Sequence, residues 1–563
     1  MDNRKHEVTT RMNFATPAGF RDVLTDEAQV RERIMREVQE LFAQCGYRLI
    51  ETPTLEAMNV MQAGGRMPGS PFKLFDAQGN LLTMRPDVTQ QVARMTATRL
   101  AGEPGPFRFR YTQRVFREAE VEMQAKAREV TQIGIECIGE SGAQADAEVV
   151  RLLVEALDIV GVRDVTLAVA TVSVLRALLE TSGAPAPWRR QVLDAYHGSN
   201  FVELDELTDP AAAKAAGVPP VFAAAIRALP RIRGGREAIE KVRAIVAPLG
   251  CEAGLDDFER TFDLLEEAGL SANILVDFSV MSSFNYYTGI VFEAYAPGMG
   301  TSLGSGGRYD NMIAAYGGSR PAAGCAFCLE SAMQAASSSS KRQVQAQEGA
   351  PAKPLRIAVP KGSLNADSIA ALAAAGLDVT GLADPGRQLI IRNPGVEYVI
   401  VRPTDAPAFV ALGAADCGIC GKDSLLEANT DVVELVDLKF GGCRFVVAEP
   451  AGATAAVEAH QRELGSIRVA TKYPRITQAY YAQTGTQVEI VKLHGNIELA
   501  PLTGMAERIV DITATGTTLR ENDLVIVDEV LASTARFCAN PCAFRTDARI
   551  MALAQKLEAN AKA

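Results

Sequence analysis

Histidine and tryptophan are scarce in this chain: four histidines (His6, His197, His460 and His494) and one tryptophan, Trp188, among 563 residues. The histidines are scattered, so neither a His-rich metal site nor a nucleophile–histidine triad takes shape. Trp188 reads as a packing residue, and for His494, inside a motif, a packing or backbone-bonding role stands beside catalysis as the alternative. A basic surplus is also missing, because 57 Lys+Arg stand against 68 Asp+Glu and leave a formal charge of −11. That balance argues against a sequence-independent grip on nucleic acid, which needs excess cations to displace counterions. No apolar run approaches the ~18 residues of a membrane span, and the opening stretch from Met1 to Met12 lacks the apolar core of an export signal. The expectation is a cytoplasmic protein with no membrane and no nucleic-acid partner. Ten cysteines in such a setting are expected to stay thiols. Cys325/Cys328 and Cys417/Cys420 are both C-x-x-C pairs, but they lie far apart in apolar segments, so packing is the expected role rather than zinc or redox chemistry. The acidic cluster Asp256-Asp257-Phe258-Glu259 lacks EF-hand spacing and reads as a solvated helix start.

What is present bounds the answer from the other side. The length exceeds one compact domain, and 48% hydrophobic with 22% charged residues suits a chain that buries a core. The clearest boundary is residues 332–353, where four serines (Ser337 to Ser340) are followed by Gln, Ala and Pro, a composition expected of a flexible linker. It divides residues 13–331 from residues 354–563. The first part opens with a helical pattern from Thr25, in which Val30, Ile34, Val38 and Leu41 recur at helical spacing before Gly46. Short strand-like runs follow (47–50, 81–84, 107–111, 130–138), then a mainly helical region to about Gly269, then strands again at 274–278, 289–294 and 323–327. This is an α+β pattern with an antiparallel sheet. The second part alternates strand and helix (355–359, 365–375, 398–401, 406–413), which predicts parallel α/β architecture.

Within the second part, Ile509-Val510-Asp511-Ile512 reads as a strand feeding a Thr/Gly-rich turn and then a helix. Such a turn offers successive N–H groups to an anion, Thr513, Thr515, Thr517 and Thr518 add hydroxyls, and Gly516 permits close approach. It is not a Walker loop, having no Gly-Lys-Ser/Thr ending. A phosphate loop is the preferred reading, with an ordinary strand-to-helix turn as the alternative. Five further strings occur in order: Ala358 to Leu364, Val401 to Pro407, Gly413 to Asp423, Ala470 to Pro474 and Leu493 to Pro501. With the phosphate loop they make the region from about Leu355 onward resemble the short-form catalytic subunit of ATP phosphoribosyltransferase. The resemblance implies two α/β lobes like a periplasmic binding protein, ATP and phosphoribosyl pyrophosphate as substrates, and Mg²⁺ carried on their phosphates. It places Thr513, Ala514, Thr515, Gly516, Thr517 and Thr518 around the 5′-phosphate and Asp511 and Glu498 near the ribose. Arg387 and Arg402 fall where the leaving group is held, with Lys361 at the same cleft.

The first part carries Pro17 to Asp22, Met84 to Thr89, Phe116-Arg117-Glu118, Thr131 to Glu136, Asn285 to Gly289 and Gly306 to Asp310 in family order. These strings resemble the class II catalytic domain of histidyl-tRNA synthetase and its paralogue, the regulatory subunit of ATP phosphoribosyltransferase. Three features separate the two relatives. Ser331 ends the string where a synthetase carries the arginine that holds ATP, Ser282 occupies the place of the histidine-specific arginine, and no anticodon-binding domain follows. Amino-acid activation is therefore not expected. The amino-acid pocket is: by resemblance Asp87, Thr89 and Gln132 surround an α-amino group, Arg117 belongs to the same histidine-binding set, and Glu136, Tyr286 and Tyr287 face an imidazole; the alternative is a vestigial pocket whose tyrosines only pack. The implied protein is a fused, histidine-sensing ATP phosphoribosyltransferase that forms a homo-oligomer, dimer or tetramer. An active histidyl-tRNA synthetase and a solute-binding module are the alternative readings.

Overall fold

The computed structural model describes residues 15–65, 71–118, 127–280, 286–347 and 353–561. Ser282 and the asparagine that opens the Asn285–Gly289 string lie outside them. The chain forms two compact units: residues 1–178, 229–294 and 303–341 make the first, and residues 179–228, 295–302 and 342–563 make the second. The division therefore differs from a single cut near residue 331. A helical stretch and one hairpin tip from the first part of the sequence belong with the second part.

The first unit is built on a nine-stranded sheet. Its order is Arg48–Leu49, Phe107–Phe116, Glu129–Ile138, Ala322–Cys328, Gly304–Arg308, Ile290–Tyr295, Thr166–Thr171, Ile274–Asp277 and Arg233–Gly234. The central pairs are antiparallel, and Glu129–Ile138 is buried from Thr131 onward because helices and strands cover it on both sides. Helix Thr25–Gln44 has Asp26 and Glu27 in its first turn, where anions suit the N-terminal dipole, and ends before Gly46 at φ +85°. Its buried stripe is Arg31, Ile34, Val38 and Phe42. The expected Val30 is exposed instead, because Arg31 turns inward to an ion pair with Glu330 at 2.5 Å and a bond to the Thr131 hydroxyl at 2.6 Å.

The expected linker is corrected over most of its length. Residues Leu329–Gln347 form one α-helix. Leu329, Ala332, Ala335 and Ser339 are buried at three- and four-residue spacing, so small residues still make a packing stripe. The hydroxyls of Ser337, Ser338 and Ser340 each donate to the carbonyl four residues earlier at 3.1 Å, which satisfies them inside the helix. Low polarity contrast hid this helix in the sequence.

The second unit holds two sheets. Six strands run in the order Ile390–Asn393, Val396–Val401, Leu355–Pro360, Cys417–Gly421, Ala535–Ala539 and Val433–Asp437. Five run in the order Val488–Lys492, Ile467–Thr471, Arg508–Thr513, Cys443–Pro450 and Leu524–Ser533. Both are mixed rather than purely parallel, because Ala535–Ala539 and Cys443–Pro450 return antiparallel to their neighbours. The chain crosses between the sheets twice, from Asp437 to Cys443 and from Ser533 to Ala535. These crossings lie side by side: the Thr534 hydroxyl donates to Asp437 at 2.7 Å, and Ala535 N–H donates to Phe440 O at 2.9 Å.

Helices Ala186–His197 and Phe201–Leu207 pack on the six-stranded side. Glu434 N–H donates to Ser199 O at 3.0 Å, and Phe201 joins a core that includes Ile419, Val433, Phe537 and Phe544. The Phe201 and Phe544 rings meet edge-on with centroids 6.1 Å apart. Trp188 is buried with its indole N–H on Leu207 O at 3.2 Å, as a packing residue should be. His494, by contrast, is exposed. Among the described residues no helix is long and apolar enough to cross a membrane.

Candidate functional site

The phosphate loop occupies the exit of the central strand Arg508–Thr513. Glu498, Asp511, Thr513, Ala514, Thr515, Thr517 and Thr518, with Ile512 and Leu519, line one cavity of about 240 Å³. The sequence therefore named seven of its nine lining residues, and Gly516 lies within the same turn. Gly516 has φ +71°, a conformation that L side chains rarely adopt, and its N–H is held by the Thr513 hydroxyl at 2.8 Å. The hydroxyls of Thr515 and Thr517 are 2.9 Å apart, and Arg520 donates to Thr515 O at 3.0 Å and to the Thr517 hydroxyl at 3.1 Å. Arg520 is thus a cation at the loop that sequence reasoning missed, although it sits two residues beyond the quoted threonines. The following helix, Thr517–Glu521, is only five residues long. Burial pushes the Asp511 carboxyl up, while its bond from Ile512 N–H at 2.8 Å and the nearby Lys472 ammonium oppose the rise. Glu498, half-buried, adds a second negative group beside it.

The three cations of the other sheet share an edge. Pro360 is in register with Val401 on adjacent parallel strands, so Lys361 and Arg402 step off together at the carboxyl ends. Ile390 faces Val399 antiparallel, and Ile400 N–H bonds Leu389 O at 2.9 Å. Arg387, two residues before Leu389, leaves at that edge too. All three side chains are exposed. The carboxyl edge of parallel strands is where open α/β sheets hold ligands.

A buried polar cluster in the first unit centres on Glu136, 1% exposed. Its Oε1 accepts from the Thr89 hydroxyl at 2.7 Å and from Tyr111 at 3.2 Å, and its Oε2 accepts from Tyr309. Burial pushes the carboxyl up to about 8 despite these donors. Gln132 bridges neighbours by donating to Asp87 at 2.8 Å and accepting from Val88 N–H at 3.3 Å. Tyr286 packs on Tyr287 at 4.7 Å and edge-on to Tyr309 at 5.9 Å. Arg117 instead donates to Pro86 O at 3.0 Å, at the margin of this group. Glycines open the space: a Cβ at Gly324, across the strand pair from Glu136, would meet its Oε2 at 1.8 Å, and one at Gly307 would meet Tyr287 at 2.6 Å.

Sequence reasoning missed Tyr111 and Tyr309 as direct partners of Glu136. Tyr309 belongs to the quoted string Gly306 to Asp310, whose Arg308 is anchored in a buried ion pair with Asp146 at 2.7 Å and aims the following tyrosine inward. All ten cysteines are free thiols, and among the described residues no cluster of three or more His, Cys, Asp or Glu side chains could hold a metal ion.

Comparison with known proteins accounts for both halves. The family model for histidyl-tRNA synthetase matches residues 19–332, more than half the chain, and that for ATP phosphoribosyltransferase matches residues 402–559. An ATP phosphoribosyltransferase of Rubrobacter xylanophilus is 52% identical over 191 residues, 34% of this chain and 88% of the relative. The ATP phosphoribosyltransferase regulatory subunit of Moorella thermoacetica is 33% identical over 325 residues, 57% of this chain and 82% of the relative. Among solved structures, an ATP phosphoribosyltransferase regulatory subunit/histidyl-tRNA synthetase from Bacillus halodurans aligns with TM-score 0.53 and 26% identity, over 69% of this chain and 99% of that one. The N-terminal half accordingly has the class II synthetase fold. With relatives of both subunits matched along one polypeptide, the chain belongs to the ATP phosphoribosyltransferase family, as a fusion of a synthetase-like regulatory part with the catalytic part.

Proposed function

We propose that this chain performs its ATP phosphoribosyltransferase reaction in the space served by the Thr513–Thr518 loop and the Lys361/Arg387/Arg402 edge, and that the Glu136 pocket senses histidine. The reaction, the first of histidine biosynthesis, joins N1 of the ATP adenine to C1′ of phosphoribosyl pyrophosphate. The N1–C1′ bond forms from a neutral lone pair while the C1′–O bond breaks, and its electron pair leaves with pyrophosphate. No strong base is needed to generate the nucleophile. The obstacle is electrostatic, since two polyphosphates must approach while charge gathers on the leaving group. The single observation that carries the assignment of roles is the cavity lined by Glu498, Asp511 and the loop threonines, on a strand within the family match.

In this reading the loop N–H groups and hydroxyls take the 5′-phosphate, and Asp511 and Glu498 face the ribose hydroxyls. Arg387, Arg402 and Lys361 take the pyrophosphate. Mg²⁺ enters with the substrate phosphates, and two carboxylates at the cavity suit an ion that keeps several waters and binds through one or two protein oxygens. Two sheets joined by two adjacent crossings support a periplasmic-binding-protein-like pair of lobes. A cytoplasmic homo-oligomer is the setting we assign, because the synthetase-like fold favours pairing.

Glu136 with Tyr111 and Tyr309 offers one acid and two phenols to ring nitrogens that can each donate or accept. Inhibition follows if histidine binds the slower state of the enzyme more tightly, and substrates must then weaken histidine by the same factor. The test is phosphoribosyl-ATP formation with and without histidine, in the parent and in Arg402→Ala. The parent should be active and suppressed by histidine, and Arg402→Ala should lose on the order of a hundredfold in kcat/KM. Turnover of Arg402→Ala at the parent rate would remove that residue from the site. Histidine-indifferent activity would reduce the Glu136 pocket to a scaffold.

A further inference from the structure

Helix Pro474–Thr484 lacks a cap of its own. Its N-cap residue, Tyr473, has no side-chain oxygen in bonding position, and Pro474 at the first helical position brings no N–H. The next two donors, Arg475 N–H and Ile476 N–H, both go to one carboxylate. Glu427 accepts from Arg475 at Oε1 and from Ile476 at Oε2, each at 3.1 Å. The bidentate geometry is that of an N-cap, yet Glu427 comes from helix Lys422–Ala428 on the other sheet. The cap crosses from one lobe of the catalytic part to the other.

The opposite end of helix Lys422–Ala428 is fastened to a crossing. Lys422 N–H donates to Thr534 O at 3.0 Å, Asp423 N–H donates to the Ser533 hydroxyl at 3.2 Å, and that hydroxyl donates back to Asp423 at 2.9 Å. Ser533 ends a strand of one sheet and Ala535 begins a strand of the other. The helix therefore starts on the crossing and ends on the far lobe, about one and a half turns away along its axis. A rotation about the two adjacent crossings would leave its first turn in place and pull Glu427 off both N–H groups. The capped helix also continues directly from Lys472, the cation beside Asp511.

We infer that Glu427 is a positioning residue that fixes the angle between the two lobes, and with it the placement of the phosphate loop against the Lys361/Arg402 edge. This rests on the reading of the cleft given above. Glu427 is not among the residues that line the loop cavity. Its loss should therefore separate two properties that a catalytic or merely structural residue would change together. Binding of ribose 5-phosphate uses the loop of one lobe alone, whereas turnover needs both lobes in place.

The experiment compares the full chain with Glu427→Ala and Glu427→Gln, measuring kcat/KM for ATP and the Kd of ribose 5-phosphate. For Glu427→Ala, kcat/KM should fall about tenfold, the scale of a lost helix cap expressed in a rate, while the Kd stays within about twofold. Glu427→Gln keeps one acceptor and should fall between the parent and the alanine variant. Should the alanine variant not fold, the glutamine variant carries the test alone, with a loss of roughly two- to threefold expected. Turnover equal to the parent in the folded variants overturns the inference. So does a Kd that weakens in step with turnover, since that marks general damage to the loop lobe. A parent chain that forms no phosphoribosyl-ATP at all overturns the underlying reading of the cleft rather than the tie specifically.

Discussion

Glu136 sits at the meeting point of three donors, and the geometry defines its chemistry more tightly than the residue type does. A carboxylate with this many hydroxyls would ordinarily be held low, but complete burial outweighs them and moves the proton off near pH 8. The unfolded chain releases the same proton near 4.5. Between these values the folded state binds more protons than the unfolded state, so stability falls as pH rises, by up to about 1.4 kcal/mol per pH unit. Below 4.5 and above about 8 this contribution is flat. Glu136→Gln keeps the shape and removes the titration. Its melting temperature relative to the parent should therefore climb from pH 5 to pH 8 and level off beyond. A difference that is constant with pH would mean that Glu136 is already ionised in the folded protein.

At the scale of elements, the packing of helix Phe201–Leu207 carries a clear energetic expectation. Phe201 is 5% exposed and meets Phe544 edge-on within the core of the six-stranded lobe. Phe201→Ala should cost about 3–5 kcal/mol through lost burial and the cavity left behind. Chemical denaturation should show that cost in the transition of the catalytic part, with little change in the synthetase-like unit. Loss confined to the synthetase-like unit would show that the helix stabilises the other half. Strands such as Glu129–Ile138 and Leu355–Pro360, and the loop threonines, were legible in sequence because their apolar runs and motif order are local properties. Helix Leu329–Gln347 was not, since its buried face is Ala and Ser, and a contrast between apolar and polar faces is what periodicity detects. The companions of Glu136 were missed for a different reason. Tyr111 lies on the neighbouring strand and Tyr309 is brought in by the Arg308–Asp146 anchor, and pairings of that separation leave no spacing signal. Glu427 was invisible for the same reason, as its partners are backbone N–H groups 48 and 49 residues away.

Fusion makes the two functions stoichiometric and keeps them at high local concentration, but the second compact unit adds something that tethering alone would not. The part of this chain matching separate catalytic subunits receives residues 179–228 and 295–302 into its own fold. Asn540 donates to Gly300 O at 2.9 Å as well as to Val410 O at 3.0 Å and Ala411 O at 3.2 Å, and the Cys542 thiol donates to Thr301 O at 3.1 Å. The Arg545 guanidinium lies 4.9 Å from the centre of the Tyr295 ring. These contacts gather on one helix start, Asn540 to Arg545, beside Phe544 and hence beside Phe201. A fragment of residues 354–563 would keep both sheets and the loop cavity while losing every one of these partners. It would present Phe544 and the apolar floor under Phe201 to water. The fragment should therefore bind ribose 5-phosphate as the full chain does, yet melt several degrees lower and bind an apolar dye that the full chain excludes, because each kcal/mol removed from a domain of this size lowers its midpoint by roughly 2–4 °C. A fragment as stable and as dye-silent as the intact chain would mean that the contacts at Asn540 and Phe201 contribute no net stability.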